Sequence, residues 1–226
     1  MEQAYKTVRE RRFEVSRFVS HRVEQMQRGL LSESKSSNAT RKLAMLRRAA
    51  GKEAGSVPEV WGVEFDGMPE DLVGTGEAPS KGEWAVHIAL TLYAIHQQAQ
   101  TVGMHYKEAE DGRKQGVGNA VKRFRYAQME EQIKAGQATD LDEMPHRFAA
   151  MVTAESIEEF AHYARQVVQQ LRTKSIGFNY GLFAGQVFEF QFSERADRVR
   201  LEWGREFAQQ IASKNDKADT YSEYHK

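Results

Sequence analysis

The sequence predicts an all-α protein made of two small packed helical bundles. Three observations carry this. Apolar residues recur at intervals of three and four, most clearly Ile157, Phe160, Ala161, Ala164, Val168 and Leu171, which share one face of a helix. The ends of that helix are chemically matched to its dipole: Glu155, Glu158 and Glu159 lie at the amino end, Arg172 and Lys174 at the carboxyl end. Thr153 or Ser156 can cap it, and Ser156-x-x-Glu159 has the form of a capping box. Third, strand-like alternation is confined to VFEFQF at 187–192, which is flanked by helical patterns and has no partner strand.

In chain order, residues 10–31 read as a helix with Phe13, Phe18, Val19, Val23, Met26, Leu30 and Leu31 on its apolar side. SESKSSN at 32–38 is a loop of cap-forming residues. A second helix runs from Ala39 to Ala50 and stops at Gly51, with Leu43 and Leu46 facing inward. Residues 51–80 hold three of the four prolines and are read as irregular, pinned to the core by Trp61 and Phe65. A helix is predicted from Lys81 to Val102 on the stripe Trp84, Ile88, Leu92 and Ile95 or His96. Residues 105–116 are a polar loop, Val117–Lys134 a further helix ending at Gly136, and 137–143 a polar link. The aromatics of 180–192 read as core helix. The last helix spans 195–212, with Val199, Trp203, Phe207 and Ile211 four apart. The expected domains are therefore an N-terminal bundle (1–138) with its irregular loop at about 51–80, a C-terminal bundle (139–212) and a frayed polar tail (213–226).

With 226 residues, the chain is long enough for one good-sized domain or two small ones. It contains no cysteine, which excludes disulfides, thiol nucleophiles and thiolate zinc sites. No apolar run reaches the roughly 18 residues of a membrane span, and MEQAYKTVRERRFE at the start is too charged for a signal peptide. A cytoplasmic protein away from membranes is expected. The net charge is zero but unevenly spread: residues 1–50 carry 12 basic and 5 acidic groups, whereas 51–79 carry 1 and 7. A basic front of this kind is compatible with a polyanionic partner.

Catalytic motifs are missing. There is no G-x-S-x-G elbow and no phosphate-binding G-x-x-x-x-G-K-[ST] loop. Gly116-x-Gly118 lacks a preceding strand. His87, His96 and His105 are nine apart, which is no common metal spacing, and they read as packing or surface histidines. No carboxylate pair stands out in an apolar setting. No catalytic residue, metal or cofactor is assigned.

The basic residues are the better lead. Arg and Lys hold backbone phosphates through charge, and Arg adds two parallel hydrogen bonds. The candidates are Arg41, Lys42, Arg47 and Arg48; Lys122, Arg123 and Arg125; and Arg147, Arg165 and Arg172. The window 112–129 also holds Arg113 and Lys114 and contains no acid. Neighbouring acids are missing around Arg47–Arg48 and Lys122–Arg125, which favours a functional face there. Arg165 has a competing structural role against the acids of the last helix. Trp61, Trp84 and Trp203 are read as core anchors.

Several segments together resemble a known family. LAMLRRAAG at 43–51 followed by Val57-Pro58-Glu59-Val60-Trp61 resembles the front signature of the CasB family, the small subunit of the type I-E CRISPR surveillance complex Cascade. GVGNAVKRF at 116–124 is similar to its glycine-rich helix start, with Asn119 where a second glycine is usual. Arg147–Phe207 matches best, through Arg147-Phe148, Thr153-Ala154, Ala164-Arg165, Leu171-Arg172, Asn179-Tyr180 (commonly Asp-Tyr) and Arg200-Leu201-Glu202-Trp203-Gly204-Arg205. The resemblance covers roughly 40–210; residues 1–38 look like an extension or a divergent first helix. It implies two helical bundles, head-to-tail association with a second copy, and contact with the backbone and large subunits of Cascade. It also implies contact with the crRNA and target DNA, a basic face that holds the displaced strand and steadies the R-loop in antiviral defence, and no catalysis. Two other readings remain: a free-standing helical DNA- or RNA-binding protein, which would need a recognition helix with a partner at short spacing, and a purely structural adaptor.

Overall fold

The computed structural model describes residues 6–107, 115–136 and 143–209, with side chains from His146 onward in the last stretch. Among these residues the protein is all-α, with a single isolated bridge, His105 to Phe178, and no sheet.

Helix α1 (Val8–Leu31) starts in a complete capping box: the Thr7 hydroxyl accepts from the Glu10 N–H and the Thr7 N–H donates to the Glu10 carboxylate. It buries Val15, Val19, Val23 and Met26. Phe13 and Leu31, expected on that side, are 65% and 42% exposed, and Phe18 is half-buried. The cause is angular: Phe13 precedes Val15 by two residues, about 200° around the helix. Helix α2 (Ser37–Ala49) is capped by Ser36, buries Leu43 and Leu46, and is followed by Gly51 at φ 83°, a left-handed stop that suits glycine.

The irregular segment contains 3-10 turns at Pro58–Val60 and Glu70–Leu72 and the single-turn helix α3 (Trp61–Glu64). Val57, Val60, Val63, Met68 and Leu72 anchor it, with Phe65 packed half-buried beside them. Trp61 does not. It is 48% exposed, and its indole N–H donates to the Gly55 carbonyl. Val60, Val63 and Glu64 take the inward side of this short turn, which leaves Trp61 outside.

Helix α4 (Lys81–His96) is buried at fourteen of its sixteen positions, the pattern of a helix enclosed by others. It ends before the predicted Val102 because the Gln97 side chain folds the following turn back. Its amide donates to Val102 O and accepts from Met104 N, and Ala99 sits at φ 60°. Helices α5 (Val117–Lys134), α6 (Glu143–Thr153) and α7 (Ile157–Thr173) follow. At α7 the Ser156 hydroxyl accepts from Glu159 N–H, but the Glu159 carboxylate turns to Glu155 N–H, so only half of the predicted box forms. Helix α8 (Tyr180–Phe190) is helical despite its alternation and, like α4, is buried nearly all round. Helix α9 (Ser193–Ala208) buries Ala196, Val199 and Trp203, with Phe207 stacked on Phe148. Ile211 and the tail lie outside the described residues.

Helices α4 and α8 form the centre. Helix α1 lies along α8, α2 and α7 flank α4, α5 packs on α9, and α6 on α7. Residues from both sides of the expected 138/139 boundary share one apolar core, from Val19, Leu46 and Ile88 to Phe160, Phe183 and Trp203; the boundary itself lies outside the described residues. The approach of α1 to α8 requires glycine at 181. A Cβ there would fall 1.9 Å from Ser20 Oγ and 2.6 Å from Ser16 O. Gly181→Ala should therefore destabilise the protein by about 1–3 kcal/mol, measured by denaturant unfolding.

The core also encloses histidines. His96 Nδ1 lies 2.9 Å from the Tyr180 hydroxyl, and His105 Nδ1 accepts from Tyr180 N–H at 3.1 Å. Burial, reinforced by Arg172 and Arg123, lowers His96 to about 3, and burial lowers His105 to about 4. Both stay neutral when folded, while the unfolded chain protonates near 6.5. The unfolded state thus binds more protons below that pH, and stability falls as pH drops from about 6.5 toward 4. Between pH 7 and 5 each histidine should cost about 2 kcal/mol. The urea midpoint should drop over that window, and His96→Asn should flatten the slope.

Candidate nucleic-acid interface

The ten predicted cations divide into two groups. Helix α2 delivers four of them to its surface. Arg41 and Arg48 are exposed; Lys42 and Arg47 are half-buried. Arg47 and Arg48 end the helix, where cations suit its dipole. Among the described residues none of the four side chains makes a hydrogen bond or ion pair. Burial, and then the charge of Arg48, hold Arg47 below the usual guanidinium range.

Helix α7 brings two more to the same region. Arg165 is exposed and its Nη1 lies 3.4 Å from the Ala50 carbonyl, just past α2. It does not reach the acids of α9, as the sequence suggested, because α7 packs on α4 with α2 beside it. Arg172 donates to Gln98 Oε1 at 3.1 Å. Gln98 belongs to the turn after α4, which also borders the cleft lined by Arg47. Arg172 thus holds a turn that borders the cleft Arg47 lines. The result is an arc of Arg172, Arg47, Arg48 and Arg165 around the end of α2. Lys52, missed in the sequence because it sits alone in an acidic segment, joins Arg165 along a cleft that also carries Glu53 and Glu158.

Helix α5 behaves differently. Lys122 donates to the carbonyls of Ala208 and Gln209 at 3.2 and 2.5 Å, closing the end of α9. Arg123 donates to Asn119 Oδ1 and, at 2.6 Å, to Gly177 O, and burial lowers its pKa. These two side chains hold helices together through backbone acceptors. An absence of nearby acids in sequence cannot register such partners. Arg125 is half-buried, with its Nε unpartnered among the described residues. Arg147 is half-buried on α6 and already engaged within the chain. Arg113 and Lys114 lie outside the described residues.

Buried carboxylates, which the sequence did not single out, are all partnered. Glu64 pairs with His87 at 2.8 Å. Glu189 pairs with Arg12 and Arg195. Glu206 accepts from Gly118 N–H and Gln186 Nε2, and Gln186 accepts from Trp203 Nε1; burial raises the Glu206 pKa. Among the described residues no three His, Asp or Glu side chains gather as a metal site, and no helix is long and apolar enough to cross a membrane.

The division makes a testable contrast. Arg123→Ala should cost about 1.5–3 kcal/mol, since it strips charge-assisted hydrogen bonds from a buried carbonyl. Arg48→Ala should stay within about 0.5 kcal/mol of the parent. Thermal or urea unfolding of the two variants checks this.

Comparison with known proteins agrees with the architecture. The family model described as CRISPR-associated protein Cse2 matches residues 42–207. The crystal structure of CasB from Thermobifida fusca superposes with a TM-score of 0.65 at 32% identity, covering 87% of this chain and 98% of that one. Among curated proteins none matches. The helical core, the order of its motifs and these two matches place the chain in the Cse2 (CasB) family of CRISPR-associated proteins.

Proposed function

We propose that this Cse2-family chain, a small subunit of the CRISPR surveillance complex Cascade, performs no chemistry of its own and steadies the R-loop by holding the displaced DNA strand. The observation that carries the reading is the arc of Arg47, Arg48, Arg165 and Arg172 around the end of α2. Forming an R-loop exchanges one duplex for another of similar stability, so a few protein–phosphate contacts can bias it. The displaced strand offers one phosphate per nucleotide, and guanidinium groups can grip these without reading sequence. Arg41 and Lys42 extend the same surface along α2. In this reading the chain also touches the crRNA and the target strand. It packs head to tail with a second copy and sits against the backbone and large subunits, which a neutral total charge permits.

The test is Arg47/Arg48→Glu in the assembled complex. Loss of two phosphate contacts should shorten the R-loop lifetime and lower the salt slope of single-strand binding by about 1.4. An unchanged lifetime and slope, with the complex intact, would remove the arc and favour a structural adaptor. Tight, sequence-selective DNA binding by the isolated protein would favour a free-standing DNA-binding protein.

A further inference from the structure

One side of α1 is sealed into the core. The opposite side carries Arg9, Phe13 and Arg17, spaced four apart and all exposed. Phe13 is 65% exposed, and fully covering such a ring would gain about 1.5–3 kcal/mol. Its two arginines sit about 6 Å along the helix on either side, and among the described residues neither makes a side-chain hydrogen bond or ion pair.

This stripe forms one wall of a groove of about 700 Å³ between α1, α8 and α9. The other wall carries Arg198 and Arg205, and Arg205 is exposed without a side-chain partner among the described residues. The floor is polar, with Ser16, Ser20 and Gln186. Three acids line the groove, and each is engaged. Glu189 is held by Arg12 and Arg195, and Glu202 accepts two hydrogen bonds from Arg12. Glu206 is satisfied by Gly118 and Gln186. On the flank of α1, Glu10 closes the cap and Glu14 pairs with Lys6. Arg9, Arg17 and Arg205 are left uncompensated around one exposed ring.

We infer that this groove is a second track for single-stranded nucleic acid, in which a base stacks on Phe13 while the adjoining phosphates meet Arg9 and Arg17 on one wall and Arg205 on the other. The chemistry favours this occupant over an apolar or acidic peptide. An apolar partner would have to cover unpaired guanidinium groups, and a string of acids would leave the ring uncovered. A strand has both a π face and phosphates, and stacking of this kind tolerates any base. The inference extends the nucleic-acid reading to a surface separate from the arc on α2 and α7.

The test uses the full chain with Trp61→Phe, which removes the exposed indole, and Phe13→Trp as reporter. Oligothymidylate of about 12 nucleotides and an abasic strand of equal length are titrated at low salt. Fluorescence should be quenched by the oligothymidylate and not by the abasic strand. Arg9/Arg17→Glu should abolish the quench, Arg47/Arg48→Glu should leave it, and Phe13→Ala in the parent should weaken strand binding by about 10-fold. Binding without a quench, or an equal quench by the abasic strand, would overturn the groove. An R-loop defect in Arg47/Arg48→Glu with no quench at position 13 would keep the arc and sink the groove; the reverse pattern would do the opposite.

Discussion

A helix that is apolar on every side exists only where other helices cover all of it, and α4 imposes that requirement here. Fourteen of its sixteen residues are buried, so α1, α2, α7 and α8 must surround it. That arrangement sets the surface chemistry. Helices α2 and α7 lie on neighbouring sides of α4, so the arginines at the end of one approach those along the other. The turn after α4, drawn in by Gln97, supplies Gln98, which Arg172 reaches.

Helix α8 imposes the matching requirement from the other side. Its glycines let α1 approach until serine side chains and backbone fill the space a Cβ would need. Close approach brings Arg12 of α1 onto Glu189 of α8 and Glu202 of α9. That buried cluster neutralises its own acids. A bridge of this kind is weak evidence for stability, because desolvation offsets much of its Coulombic gain. Its effect on the surface is plainer: it engages two carboxylates that line the groove, and among the described residues Arg9, Arg17 and Arg205 are left without an ion-pair partner.

The cations show why charge patterning is only half legible. Arg47 and Arg123 both occur in windows poor in acids, and in sequence they look alike. One ends a helix at the surface with no hydrogen-bond or ion-pair partner among the described residues; the other spans to the Gly177 carbonyl and is largely enclosed. Every residue carries a carbonyl, so no sequence pattern marks the one that will accept. Arg165 was legible as a cation on the edge of α7, but not as the neighbour of Ala50, a contact between residues 115 positions apart. Phe13 read as core for the same reason. Apolar character is visible in one dimension, whereas the side of a helix that another helix covers is decided by packing.

By itself the sequence determined the helical class, most helix positions and the stop at Gly51, and it narrowed the caps to the loop 32–38 for α2 and to Thr153 or Ser156 for α7, because these depend on periodicity and chemistry within a few residues. It also carried the family, through the order and spacing of its motifs from Leu43 to Phe207. Only the tertiary structure decided which cations stay free and which aromatics face water. Those properties belong to pairs of groups far apart in the chain, and they exist only once α4 and α8 have been enclosed.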